Sequence, residues 1–293
     1  MISLPMQSGL MMNTRSLDLS KEDEMSITKI LGDFWKVTLP IGKQESPIEV
    51  LPNSLDSYST EFLYYNSSVD GVVFRCPTNG VTTSGSNYPR CEARQMDSNT
   101  KLSSWSTLAG RNRLTVVLSL DEIPIGPKRE VVLMQVHGGD DDVATFRFNG
   151  STASLTEGDL WITNGNNSRA FKIGRIKLGE RIKIGFDVQN GKIGFNFNDS
   201  VLPFIVESSD PTCFFKFGCY VQVKSFTPLP NGKPDGGQVT VFKVRLNEAH
   251  EEPETPTGEF ETAVLQELAE IKEILARFIV EHDTRMSRIK EAF

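Results

Sequence analysis

Arg181-Ile182-Lys183-Ile184-Gly185-Phe186-Asp187-Val188 and Lys192-Ile193-Gly194-Phe195-Asn196-Phe197 are two alternating runs joined by Gln189-Asn190-Gly191. Alternation at period two puts successive side chains on opposite faces of an extended strand. Asn and Gly tolerate the positive φ of a type I′ turn, so the stretch predicts an antiparallel hairpin. The same texture recurs on either side, in Gly71–Arg75, Arg113–Leu118, Val131–His137 and Val239–Val244. Each run is rich in Val, Ile, Phe and Thr, and Gly, Asn, Asp, Ser and Pro separate them. No helical pattern intervenes between Phe34 and Leu246. The chain is therefore expected to be all-β, a two-sheet jelly-roll β-sandwich.

The flanks read differently. Residues 1–25 show no sustained periodicity and are expected to be a poorly ordered lead-in to a domain spanning 26–247. Residues 248–258, with Pro253 and Pro256, read as an extended linker. In 259–293, Val264, Leu268, Ile271, Leu275, Phe278, His282 and Ile289 fall at steps of three and four, which predicts an amphipathic C-terminal α-helix. Such a face needs a partner, and a homo-oligomer formed through Glu259 to Ala292 is the expected one.

The chain has 293 residues and a formal charge of −7. Residues 248–293 hold 12 acidic side chains against 5 basic ones, which accounts for all of it, while residues 1–247 hold 26 of each. Net charge argues against nucleic acid, yet a neutral body can still carry a locally positive groove. No apolar run approaches the roughly 20 residues of a membrane-spanning helix, and Met1–Met12 lacks the pattern of a secretory signal. Neither nucleic acid nor membrane is an expected partner.

Three segments concentrate chemistry. In Arg90-Cys91-Glu92-Ala93-Arg94, two arginines flank a glutamate on one strand face, a ladder able to hold a ligand carboxylate with Glu92 orienting the guanidinium groups. In Gln135-Val136-His137, Gln135 and the one histidine outside the tail share a face. In Lys216-Phe217-Gly218-Cys219-Tyr220-Val221-Gln222, Lys216, Tyr220 and Gln222 line a polar face with a gap at Gly218, suited to a sugar lying close. Read singly, each also fits a plain role: a solvated charge ladder, a histidine at a strand end, an amphipathic strand with one wet side. Cys76, Cys91, Cys213 and Cys219 lack zinc-ligand spacing, and Gly138-Gly139-Asp140-Asp141-Asp142 lacks the spaced ligands of a calcium loop. It reads as a mobile acidic turn. No metal or other cofactor is expected. Cys91 and Cys219 read as buried thiols, with pairing left open.

Together the three segments resemble the motifs of polysaccharide lyase family 7, the alginate lyases: an R-(T/S)-E-(L/V)-R strand, a Q-(I/V)-H strand and a Y-F-K-A-G-x-Y-x-Q strand. The resemblance runs from about Trp35 to Leu246 in the family's order and includes Phe34–Pro40 and the late hairpin. Cys91, Ala93, Phe214 and Phe217 depart from the pattern. Alternation turns Cys91, Ala93 and Phe217 into the sandwich, with small Ala93 compensating bulky Phe217, so no groove-facing residue is expected to differ.

The resemblance implies β-elimination on an anionic uronate polysaccharide such as alginate, bound on a concave sheet and cut endolytically at 1,4-glycosidic bonds. The proton at C5 is weakly acidic, so the enolate-like dianion must be stabilised. Arg90 and Gln135 are the expected catalytic neutralisers of the carboxylate. His137 is the expected base at C5 and Tyr220 the acid at O4. For the other epimer Tyr220 is expected to do both jobs, helped by cationic neighbours such as Arg90 or Lys216, while His137 polarises the carboxyl group. Glu92, Arg94, Lys216 and Gln222 are the expected substrate-binding residues. The Val136 form of the Q-x-H motif implies mannuronate-rich substrate. Action is expected outside the cell or on a virus particle, because the polymer is extracellular. Glucuronan lyase activity, a silent carbohydrate-binding sandwich and a virion-associated structural protein stand as alternatives.

Overall fold

A computed structural model describes residues 26–247 except 127, 152, 166, 167, 230 and 233, together with 266 and 272. The expected lead-in at 1–25, linker at 248–258 and helix at 259–293 fall outside the described residues, apart from 266 and 272 within that helix. The chain divides into two units, Met1–Asn247 and Glu248–Phe293, and every strand among the described residues belongs to the first.

The strands in chain order are β1 (Trp35–Lys43), β2 (Ser46–Val50), β3 (Leu63–Asn66), β4 (Gly71–Pro77), β5 (Arg90–Gln95), β6 (Arg111–Glu122), β7 (Glu130–His137), β8 (Asp142–Gly150), β9 (Glu157–Asn164), β10 (Ser168–Lys177), β11 (Arg181–Gln189), β12 (Lys192–Phe197), β13 (Ser200–Glu207), β14 (Phe214–Val221) and β15 (Gly236–Leu246). They form an eight-stranded sheet in the order β10-β9-β8-β7-β14-β5-β1-β2 and a seven-stranded sheet in the order β13-β12-β11-β6-β15-β4-β3. The pairings are antiparallel, and the two sheets make the predicted jelly-roll sandwich.

The deciding hairpin is β11–β12. Gln189 pairs with Lys192, and Asn190 and Gly191 take φ of 52° and 73°, the left-handed values a two-residue turn requires. One short helix escapes the periodicity reading: α1 (Ile27–Leu31) is capped by the Ser26 side chain and buries Ile27, Ile30 and Leu31. Five residues make little more than one turn, too few for an amphipathic pattern to show.

Phe146, Phe186 and Phe195 interlock between the sheets, and Phe215 stacks on Phe186. Phe217 pairs in register with Ala93, and its ring meets Trp35 at 4.6 Å and Phe74 at 5.9 Å. The missing bulk at Ala93 and the added bulk at Phe217 are cross-strand neighbours, as expected. Cys91 and Cys219 also pair directly; all four cysteines are free and buried, and burial pushes their thiols up, that of Cys213 to about 12.

Candidate active site

β7, β14 and β5 lie side by side in the middle of the eight-stranded sheet, which brings the three motifs into one patch on its open face. Across β5–β14–β7, Arg94, Lys216 and Gln135 form one row. Tyr220 pairs with Arg90, Gly218 with Glu92 and Phe214 with His137. Segments separated by up to about 130 residues in sequence thus become neighbours through register alone.

Glu92 is the hub. It is 1% exposed and accepts from Arg90 Nη1 at 2.9 Å, from Lys216 Nζ at 2.6 Å and from Gln135 Nε2. Burial alone would raise its pKa, yet the Lys216 and Arg90 charges hold it below the usual carboxylate value. A buried carboxylate with three donors is compensated, and it fixes those donors in place. Burial and the Arg90 charge pull Lys216 down to about 8, against the opposing pull of Glu92. The cluster carries two cations for one carboxylate, so it is organised to receive a further anion. Arg94 adds a third cation, with Nη1 buried and without a hydrogen-bond partner among the described residues.

His137 sits at the end of β7. Its Nδ1 lies 2.7 Å from the Gly138 carbonyl oxygen, which takes a hydrogen only if Nδ1 carries it. In the neutral ring Nε2 then holds the lone pair. Burial lowers the His137 pKa, and the Lys216 charge lowers it further. The ring is accordingly a neutral base at pH 7.

Tyr220 lies under the Arg90 guanidinium, whose Cζ is 3.8 Å from the ring centroid. Its hydroxyl is 2.9 Å from Ser86 Oγ. Ser86 donates its single hydrogen to the Tyr88 carbonyl at 3.0 Å, which leaves it to accept from Tyr220. The phenol is therefore held as a donor on the loop before β5. Ser86 is not among the residues expected from sequence, because the serine-rich stretch 84–88 carries no periodic signal.

Two expectations need correction. Phe214, counted among departures that leave the groove untouched, lies on the open face, stacked on His137 with centroids 5.0 Å apart and with Arg94 Cζ 3.8 Å from its own centroid. Its parity with Lys216 and Tyr220 is the available signal. Gly218, expected to leave a gap for sugar, has a φ of 135°, and a Cβ there would meet the Cys91 carbonyl oxygen at 2.7 Å. Glycine is needed for the bulged backbone of β14 between Phe217 and Tyr220, where it presses on β5.

Gln222, just beyond β14, is buried and accepts from Arg147 Nη2 at 3.0 Å. Arg147 is a second residue unclaimed from sequence. It sits in Ala144-Thr145-Phe146-Arg147-Phe148, the same charged-among-apolar alternation that singles out Arg90. Of the segment 163–169, residues 166 and 167 lie outside the described residues, while Thr163 near the end of β9 is buried and bonded to Thr145 at 2.5 Å. In the acidic turn, burial and the Asp141 side chain raise Asp142 to about 6.

Guanidinium, ammonium, amide, imidazole and phenol groups thus share one open sheet face of an all-β sandwich. A family model described as alginate lyase matches residues 30–248. The alginate lyase from Corynebacterium sp. is 32% identical with a TM-score of 0.69, covering 77% of this chain and 100% of its own. Alginate lyase AlgAT5 of polysaccharide lyase family 7 is 28% identical with a TM-score of 0.67, over the same shares. An alginate lyase from Pseudomonas aeruginosa, 22% identical over 74% of this chain and 99% of its own, shares the fold at a TM-score of 0.63. A search of curated proteins returns no match. The chain belongs to the alginate lyase family, polysaccharide lyase family 7.

Proposed function

We propose that the protein cuts alginate endolytically at 1,4-glycosidic bonds by β-elimination, with mannuronate-rich blocks preferred. The observation that carries this reading is the shared face of His137, whose Nε2 is free to take a proton, and Tyr220, whose hydroxyl is held as a donor, beside the Glu92-organised cations. Arg90, Gln135 and Lys216 stabilise the negative charge that builds on the uronate carboxyl group, with Arg94 supporting. His137 Nε2 removes the C5 proton. The electron pair of the broken C5–H bond forms the C4=C5 double bond as the C4–O4 bond breaks, and Tyr220 protonates the departing O4. For the epimer with the C5 proton on the leaving-group side, Tyr220 in its phenolate form takes that proton and gives it to the departing O4, while His137 carrying a hydrogen on Nε2 polarises the carboxyl group.

Endolytic action is supported by the site's place in the sheet. β14 is fifth of eight strands, so the open face extends on both sides of the reacting groups. The Val136 form of the Q-x-H motif supports the mannuronate preference. Because the polymer is extracellular, the enzyme's place of action is outside the cell or on a virus particle.

The test is incubation with alginate, polymannuronate, polyguluronate and glucuronan, following the near-ultraviolet absorbance of the new double bond and the sizes of early products. Fastest turnover on polymannuronate with mixed oligomers appearing early is the expected outcome. Release of one small product from the start would sink endolysis. Binding without absorbance on any polymer would sink the lyase reading.

A further inference from the structure

The loop before β5 holds Ser86 in a fixed place. The Ser86 N–H donates to the Thr83 carbonyl at 3.1 Å and closes a turn. The same loop is tied to the β1–β2 hairpin: the Val81 N–H donates to the Pro40 carbonyl and the Glu45 N–H to the Thr82 carbonyl, both at 2.9 Å. On the other side Pro89 is buried, and Arg90 opens β5 in register with Tyr220. A hydroxyl on a loop anchored at both ends keeps its distance to the Tyr220 phenol.

Ser86 Oγ is also fully engaged. It accepts from the Tyr88 N–H at 3.1 Å, gives its one hydrogen to the Tyr88 carbonyl at 3.0 Å and lies 2.9 Å from the Tyr220 hydroxyl. A serine hydroxyl offers one hydrogen and two lone pairs. With a phenol at Tyr220 the count closes, since Ser86 accepts twice and donates once. With a phenolate two acceptors, the Tyr88 carbonyl and the phenolate, face that single hydrogen. A charged acceptor makes the stronger bond, so rotation about Cβ–Oγ turns the hydrogen to Tyr220.

We infer that Ser86 is a positioning residue for Tyr220 whose hydroxyl hydrogen follows the charge of the phenol and so sets how well the enzyme handles each epimer. This rests on the reading of the face as a lyase site. Where His137 is the base, Tyr220 starts as a phenol held by Ser86 as acceptor. It becomes a phenolate only as its proton passes to O4, and Ser86 then turns its hydrogen from Tyr88 to Tyr220. Where Tyr220 is the base, it starts as a phenolate and needs the Ser86 hydrogen from the outset. It takes the C5 proton, Ser86 turns back to the Tyr88 carbonyl, and passing the proton to O4 restores the phenolate. Loss of the Ser86 hydroxyl therefore harms the second route more than the first.

The test measures kcat and KM of the full chain, Ser86→Ala and Ser86→Thr on polymannuronate and polyguluronate, with circular dichroism as the fold check. In Ser86→Ala kcat should fall about 10- to 100-fold on the polymer that His137→Ala harms less, the loss expected for one hydrogen bond to a charged group. The loss on the other polymer should be at least about three-fold smaller, with KM within about two-fold on both. Ser86→Thr, which keeps the hydroxyl, should regain about one third or more of the wild-type kcat. Equal losses on the two polymers, or kcat within about two-fold of wild type on both, would overturn the proposal while leaving the lyase reading intact. A wild-type chain that produces no absorbance from either polymer would sink the lyase reading and the role of Ser86 with it.

Discussion

The His137 ring stacks on the Phe214 ring, 15° from parallel with centroids 5.0 Å apart. The two residues are cross-strand partners on β7 and β14, and Arg94 lies over the same phenyl ring. A single side chain thus braces both a proposed base and a proposed carboxylate-binding cation. Aromatic stacking and cation–π contacts are each worth about 1 kcal/mol.

Replacing Phe214 by Leu should therefore lower kcat/KM about ten-fold, which corresponds to roughly 1.4 kcal/mol, while leaving the fold intact. Phe214→Tyr, which keeps the ring, should stay near wild type. Steady-state kinetics with circular dichroism as the fold check decides it, and wild-type kinetics in the Leu variant would show that the stack positions nothing.

Tyr220→Phe keeps the ring beneath Arg90 and removes only the hydroxyl bonded to Ser86. Loss of a general acid costs about 10²- to 10⁴-fold. Turnover should fall by that amount with oligouronate affinity preserved, as read by absorbance and calorimetry. Full activity would remove Tyr220 from the chemistry.

His137→Ala should harm one epimer more than the other, because only one of the two proposed routes uses the ring as the base at C5. Rates on polymannuronate and polyguluronate provide the comparison. Equal small losses on both would refute the base role.

The pH profile should have two limbs. Burial holds His137 below the ordinary histidine value, so it remains a neutral base until the pH falls below that range. Lys216, lowered to about 8, loses its positive charge as pH rises through that value, and the Glu92 cluster then loses one of its two cations. kcat/KM should decline on the alkaline side near pH 8. Lys216→Arg, which stays charged, should move that limb upward and leave the acid limb in place; an unmoved alkaline limb would exclude Lys216 as its source.

Asp142 bears on stability. Burial, with help from Asp141, raises its folded pKa from 3.8 to about 6, so the folded state holds the proton more tightly than the unfolded chain. The stability this confers is fully present below about pH 3.8 and is lost as pH rises through about 6, because the folded state must then ionise a buried carboxyl group. Asp142→Asn should raise Tm by a few degrees at about pH 7 and by little at about pH 4. Equal Tm shifts at both pH values in thermal melts would contradict the assignment.

Much of the site is legible in the sequence because β-strand parity is a local property. Arg90, Glu92 and Arg94 read as one face and Cys91 and Ala93 as the other; burial alone would not show it, since Arg90 and Glu92 are buried in the charged cluster and only Arg94 is partly exposed. Phe214 departs from expectation because its parity, the same as that of Lys216, turns it to the groove. Ser86 leaves no trace in the pattern because a loop has no period. Arg147 and Gln222 stand 75 residues apart, and nothing local links them.

Alternation, turn residues and three motifs are enough to establish an all-β sandwich and the chemical types on its working face, since side-chain direction in a strand depends only on position along the chain. Which strands become neighbours does not. Register between β5, β14 and β7 makes Glu92 the hub of Arg90, Lys216 and Gln135 and gives His137 its phenyl partner, while packing against β8 joins Gln222 to Arg147. Those contacts arise from long-range pairing and burial, where a carboxylate gathers donors from several strands because its charge is too costly to bury alone. Sequence named the groups, and packing decided their partners, protonation and reach.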